Sequence, residues 1–157
     1  MARRRRWIGG FRGLTLARLL VSYLGVRQLL SMLGLTNIAG HAQTVRPLLA
    51  PMTEAATEQS IGAVSPEQRQ RVLAMAAATD NVGLFFGEDV FLAFGGVLLI
   101  QGFLAQQGHV FEPLQIAIWA LPTAIAAFVI HAIRIALFQR RLVAARAAPA
   151  RQEQDDA

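Results

Sequence analysis

Two long apolar runs fill most of the second half of the chain. Residues 90–111 and 113–133, 22 and 21 positions, carry no formal charge. About 20 apolar residues, each rising 1.5 Å, cross a hydrocarbon core of roughly 30 Å. The pattern predicts two transmembrane helices. The first starts at Thr79-Asp80-Asn81-Val82-Gly83 and runs through Phe86, Glu88 and Asp89 to about Ala105. The second runs from Leu114 to about Arg141, with Pro122 kinking it. In the first half, residues 14–33 (LTLARLLVSYLGVRQLLSML) form a helix long enough to span, yet Arg18 and Arg27 lie on its opposite faces. A mid-bilayer charge costs a few kcal/mol or more. That helix therefore packs in protein, lies at the interface or enters only partway. Residues 34–52 are broken by two glycines and two prolines, and residues 53–64 are polar. Ser65-Pro66-Glu67-Gln68 marks a new helix, with Ser65 as N-cap, Pro66 first and Gln68 closing a capping box. It is expected to end near residue 78.

Composition sharpens this picture. Hydrophobic residues make up 54% of the 157 and charged residues only 16%, against about a quarter charged in soluble domains. An ordinary soluble globule and a disordered chain are both disfavoured. The absence of cysteine excludes disulfide scaffolds, thiolate metal sites and cysteine nucleophiles. All fifteen basic residues are arginine, which removes Schiff-base lysine chemistry and the P-loop. Seven arginines lie in the first 27 residues and five at or beyond Arg134, with none between Val72 and His131. A nucleic-acid binder interleaves basic residues with its folded surface; flanking clusters are topology determinants. No small-residue cleavage site follows a clean apolar core, so the start does not read as a signal peptide.

Arg140, Arg141, Arg146 and Arg151 place the tail on the cytoplasmic side of an inner membrane, and the leader arginines favour the same side. Residues 14–64 must then cross an even number of times. If residues 14–33 cross, the broken stretch 34–52 must return. Non-helical backbone at that depth survives only in protein or along a watery cavity. The expected fold is an all-α integral membrane protein. It has a two-helix transmembrane hairpin in its C-terminal half and a broken, partly re-entrant helical hairpin in its N-terminal half. The map is a basic cytoplasmic leader (1–13), the broken hairpin (14–60), a cytoplasmic amphipathic helix (61–80), the transmembrane hairpin (81–142) and a disordered cytoplasmic tail (143–157).

Two constellations carry candidate chemistry. Thr36, Asn37, His41, Gln43, Thr44 and Arg46 suit an anionic carboxylate: broken helices leave backbone N–H groups free, and Arg46 adds a charge-assisted contact. Ordinary caps and a structurally paired arginine would also account for them. Thr79, Asp80, Asn81, Glu88 and Asp89 offer hard oxygens at a helix entry, suited to coupling or gating by a cation or proton; simple capping is the plainer explanation. Glu88, Gly95 and Gly102 recur every seven residues and form a strip that admits a close helix. On the last helix, Gln115, Trp119, Thr123, His131 and Arg134 share one arc, expected to face protein. Ile118, Leu121, Ile125, Phe128, Val129 and Ile135 share the opposite, lipid-facing arc. His131 and Arg134 read as an interfacial anchor pair, or else as a proton relay. No enzyme signature survives. His41, His109 and His131 lack metal-ligand spacing, and no cofactor is expected beyond a coupling cation or proton.

Three blocks resemble a known family: LTNIAGHAQTVRPLLAPM (35–52), ATDNVGLFFGED (78–89) continuing through Ala93-Phe94-Gly95, and Glu112-Pro113-Leu114 with Ala120-Leu121-Pro122-Thr123-Ala124-Ile125. Together, over about residues 14–142, they resemble the bacterial 5-oxoproline (pyroglutamate) transporter subunit family, a membrane family long of unknown function. The resemblance implies a second, larger membrane subunit as partner. It also implies kinship with transporters whose Asn/Thr motifs at hairpin tips hold carboxylates and coupling ions. Thr36-Asn37 and Thr79-Asp80-Asn81 look like such motifs. Members usually begin with further hydrophobic segments ahead of the stretch equivalent to 14–33. The opening Met1-Ala2-Arg3-Arg4-Arg5-Arg6 is expected to reflect a truncated gene, a misplaced start or a short variant. The function expected is a subunit of a secondary transporter for 5-oxoproline or a similar small carboxylate. The competing expectation is a non-transporting membrane scaffold or assembly subunit. Cysteines introduced at positions 37 and 81 would then react without protection by substrate.

Overall fold

The computed structural model describes residues 15–37, 47–91 and 95–155, with side chains up to residue 145. His41, Gln43, Thr44 and Arg46 lie outside the described residues. Six helices form among those described: α1 (Leu16–Met32), α2 (Ala50–Ile61), α3 (Pro66–Glu88), α4 (Gly95–Gln106), α5 (Pro113–Ile118) and α6 (Leu121–Asp155). The all-α expectation holds.

Local signals explain most boundaries. The Thr15 hydroxyl caps α1 by accepting from the Arg18 N–H. At the other end Gly34 donates to the Ser31 carbonyl and Leu35 to that of Leu30, a pair of bonds that requires the left-handed backbone of Gly34 (φ +74°). A Cβ at Gly34 would also fall inside the Phe91 ring, so α1 ends against the chain leaving α3. The capping box of α3 forms as the sequence predicts: the Ser65 hydroxyl accepts from Gln68 N–H at 3.2 Å and the Gln68 side chain accepts from Ser65 N–H at 3.0 Å. α5 ends in a tight turn at Trp119 and Ala120, directly before Pro122. Pro122 has no N–H and its ring crowds the carbonyl four residues back; the helix expected from Leu114 onward is interrupted there and restarts at Leu121.

Four elements differ from the sequence reading. α2 falls where residues 53–64 read only as polar. Its hydroxyls turn inward on their own helix: Thr53 donates to the Ala50 carbonyl, Thr57 to Thr53 and Ser60 to Ala56. Thus satisfied, Thr53 and Thr57 are buried. α3 does not break at Thr79–Gly83 but continues to Glu88. A single glycine inside a helix costs only about 1 kcal/mol, and packing there more than offsets it. The described part of α4 covers 12 residues, about 18 Å against a roughly 30 Å core. α6, in turn, continues past Arg141 to Asp155, where a disordered tail was expected.

The bundle is built from α1, α3 and α6. Tyr23 meets Asp80, Arg27 meets Gly83 and Ser31 meets Gly87, so α1 and α3 run parallel. Ala17 meets Gln139, Gly25 meets Phe128 and Gln28 meets Ala124, so α6 runs against both. The segment holding α2 returns the chain between the two parallel helices. At one end Leu16, Leu20, Leu49, Ile61, Val72, Ala76, Ile135 and Leu142 form an apolar core. Ile135 is fully buried in it, a correction to its expected lipid-facing arc. Of the opposite arc only His131 is buried; Gln115, Trp119, Thr123 and Arg134 are exposed. The buried seam of α5 and α6 is Ala117, Ala124, His131, Ile135 and Leu142, where small residues admit the neighbouring helices.

Candidate functional site

Beyond the apolar core the interior turns polar. Arg27 and Asp80 are 2% and 1% exposed, and Arg27 Nε donates to Asp80 Oδ1 at 2.8 Å. Tyr23, one helical turn before Arg27, donates its hydroxyl to the same oxygen at 2.7 Å. Arg27 Nη1 donates to the Thr36 carbonyl oxygen at 2.9 Å, reaching the chain just past the end of α1. The guanidinium thus bridges the middle of α3 and the start of the broken stretch.

The close approach of α1 and α3 makes this contact possible. A Cβ at Gly83 would lie 3.0 Å from Arg27 Cβ and Cγ, and one at Gly87 would strike Ser31 Cβ and the Gln28 carbonyl. Ala76, Thr79, Asp80, Gly83 and Gly87 thus form a narrow, mostly small face along α3. The glycine strip expected on α4 does not pack similarly: nothing lies within 4 Å of a Cβ at Gly95 or Gly102, and Glu88 belongs to another helix.

A second polar contact sits beside the ion pair. Thr79 Oγ1 donates to the Met75 carbonyl at 2.8 Å and lies 3.1 Å from His131 Nε2. His131 is 2% exposed and its Nδ1 has no partner. Towards the far end Gln28 Nε2 donates to the Ala124 carbonyl at 2.9 Å, while Gln28 Oε1 and Ser31 Oγ are buried without partners. Buried polar atoms left unpaired cost about 1–3 kcal/mol each, so this interior is not built for stability alone.

The predicted site residues separate. Thr79 and Asp80 are buried at the centre, and Thr36 reaches it through its backbone. Asn37 and Asn81 are exposed. Glu88 and Asp89 stand about 12 Å along α3 from Asp80. They lie at the helix C-terminus, where the dipole disfavours an anion, not at the helix start expected. Arg27 was legible as an awkward intramembrane charge, but Tyr23, Gln28 and Ser31 were missed. Their signal was available: a polar stripe at helical spacing (23, 27, 28, 31) opposite a small-residue stripe (76, 79, 83, 87). Among the described residues no group of three His, Asp or Glu could hold a metal ion.

The outward faces are the reverse of this interior. Val26 and Leu29 on α1, Leu33 at its C-cap, Leu99 and Phe103 on α4, and Ile125, Ile130 and Ile133 on α6 are all exposed. Only Trp119 and Ala120 separate α5 from α6, and Pro113–Ala145 is long and apolar enough to cross a membrane, with only 17% of its most apolar stretch buried. Among the described residues these features define an all-helical fold with charge inside, apolar side chains outside and one stretch long and apolar enough to cross a membrane. The chain belongs to a family described as "Protein of unknown function (DUF969)", which it matches over residues 1–143. No curated protein and no solved structure matches it.

Proposed function

We propose that this chain is a subunit of a secondary membrane transporter for 5-oxoproline or a similar small carboxylate. It would be a multi-pass protein of the bacterial inner membrane, working with a second, larger membrane subunit, with its C-terminus cytoplasmic. The supporting observation is the buried Arg27, held between Asp80 and the Thr36 carbonyl. Ionisable groups inside apolar bundles are costly and mark substrate or ion pathways by default. A guanidinium fork matches a carboxylate, so substrate would displace Asp80 from Arg27. Asn37, exposed at the mouth of the broken stretch, would donate its amide to the substrate. His41, Gln43, Thr44 and Arg46 would complete the binding surface. Asp80 would serve coupling, Thr79 and Asn81 would flank it, and Glu88 and Asp89 would gate the far end of α3.

Uptake of labelled 5-oxoproline by cells expressing the chain with the larger subunit tests this. Uptake is expected in wild type and lost in Arg27→Gln/Asp80→Asn, which removes both charges together. No uptake in wild type would overturn the proposal. Normal uptake in Asn37→Ala/Arg46→Ala would remove those two residues from the substrate site.

A further inference from the structure

The Thr79–His131 contact constrains where the imidazole proton sits. A threonine hydroxyl carries one hydrogen. Thr79 spends it on the Met75 carbonyl, so towards His131 Nε2 its oxygen can only accept. With the hydroxyl so directed, the Nε2–H tautomer is the one that completes the contact, and it leaves Nδ1 as a bare lone pair. That lone pair is buried and without a partner. A structural histidine would normally use its second nitrogen too; this one holds it open.

We propose that His131 Nδ1 is the proton-binding site of this chain, and that one proton taken up there accompanies one carboxylate bound at Arg27. The second half rests on the transporter reading above; the first does not. Empty, the centre holds Arg27 (+1), Asp80 (−1) and neutral His131, a net charge of zero. A proton alone would leave an uncompensated charge in the interior, and so would a carboxylate alone. Both together return the sum to zero, so each binding event favours the other. The proton comes from bulk water and forms an N–H bond at Nδ1; no other bond changes. The charged and titratable groups on the packed helices are few. α3 brings Asp80, next to Thr79. α1 brings Tyr23 and Arg27, already bonded to Asp80. α2 brings Glu54, held by Arg69, and exposed Glu58. α6 itself adds exposed Arg134.

The test has two arms. In the first, the full chain labelled with 15N-histidine is placed in lipid nanodiscs, and His131 is assigned by comparison with His131→Gln. The expected spectrum shows the Nε2–H tautomer at alkaline pH and a doubly protonated ring on acidification; Thr79→Val, which removes the acceptor, should mix the tautomers. An Nδ1–H tautomer, or a ring that stays neutral down to the pH of unfolding, would overturn the proposal. In the second arm, the chain and its larger subunit are reconstituted in proteoliposomes and supplied with labelled 5-oxoproline. One proton per carboxylate predicts about tenfold accumulation per pH unit of inward gradient, two protons about a hundredfold. Membrane potential should have no effect, and His131→Gln should lose gradient-driven uptake. Gradient-driven uptake that persists in His131→Gln would overturn the coupling and leave the transporter reading intact. No uptake at all in wild type would overturn both the transporter reading and the coupling; the histidine spectrum would then decide proton binding alone.

Discussion

Arg27 shows how a single side chain can be out of place in a sequence and well placed in a fold. On α1 it interrupts an apolar run, but the helix turns it inward while Arg18 faces out. Inside, it finds Asp80 at 2.8 Å. Breaking a buried pair from one side costs about 3–5 kcal/mol, because the remaining charge is stranded, whereas replacing both partners is often neutral. Arg27→Gln is therefore expected to lower stability by about that amount, and Arg27→Gln/Asp80→Asn to recover most of it. Unfolding in detergent, followed for both variants, checks this; equal losses in the single and double variants would show that the charges do not act as a pair.

At the scale of elements, the parallel α1–α3 contact depends on what α3 lacks. Gly87→Ala puts a methyl onto Ser31 and the Gln28 backbone, and overpacking of this kind costs about 1–3 kcal/mol. Gly83→Ala meets the base of the Arg27 side chain at 3.0 Å and should cost less. Gly102→Ala has open space around it and should gain up to about 1 kcal/mol from helix propensity. Thermal unfolding of the three variants should rank them Gly102→Ala, Gly83→Ala, Gly87→Ala from most to least stable. The elements were unevenly legible in the sequence. The Ser65 capping box and the helix interruption at Pro122 were readable because both act within one turn of helix. The continuity of α3 through Thr79–Gly83 was not, because a neighbouring helix fills the space that glycine leaves. α2 was hidden by its polar composition, which its own backbone carbonyls satisfy.

For the whole molecule, helix directions gather charge at one end. The N-termini of α1 and α3 lie beside the Gln139–Leu142 stretch of α6. Arg18, Arg69, Arg71, Arg140 and Arg141 therefore share an end, while Glu88 and Asp89 stand at the other. Arg69 is further tied to Glu54 through two bonds at 2.8 and 3.0 Å, and that carboxylate raises the guanidinium above its ordinary pKa. On the proposed transporter reading, this basic end would face the cytoplasm. The chain should resist alkaline carbonate extraction and yield only to detergent, and a reporter fused after Ala157 should be active in the cytoplasm. Release by salt, or a reporter active outside, would contradict this orientation.

Composition and charge spacing by themselves determined that the chain is helical and rich in membrane-length apolar sequence. They also set where its arginines cluster and where several helices start, because hydropathy, capping and proline geometry act over one element or less. Which polar residues meet was decided only by tertiary structure. Arg27 and Asp80 lie 53 positions apart, and Thr79 and His131 lie 52 apart; no local rule relates them. The contact arises because two glycines and a row of small side chains let α1, α3 and α6 approach closely. Of the residues that first looked like a site, Asn37 and Asn81 face out, while Asp80 gains its meaning from an arginine that first looked like an anomaly.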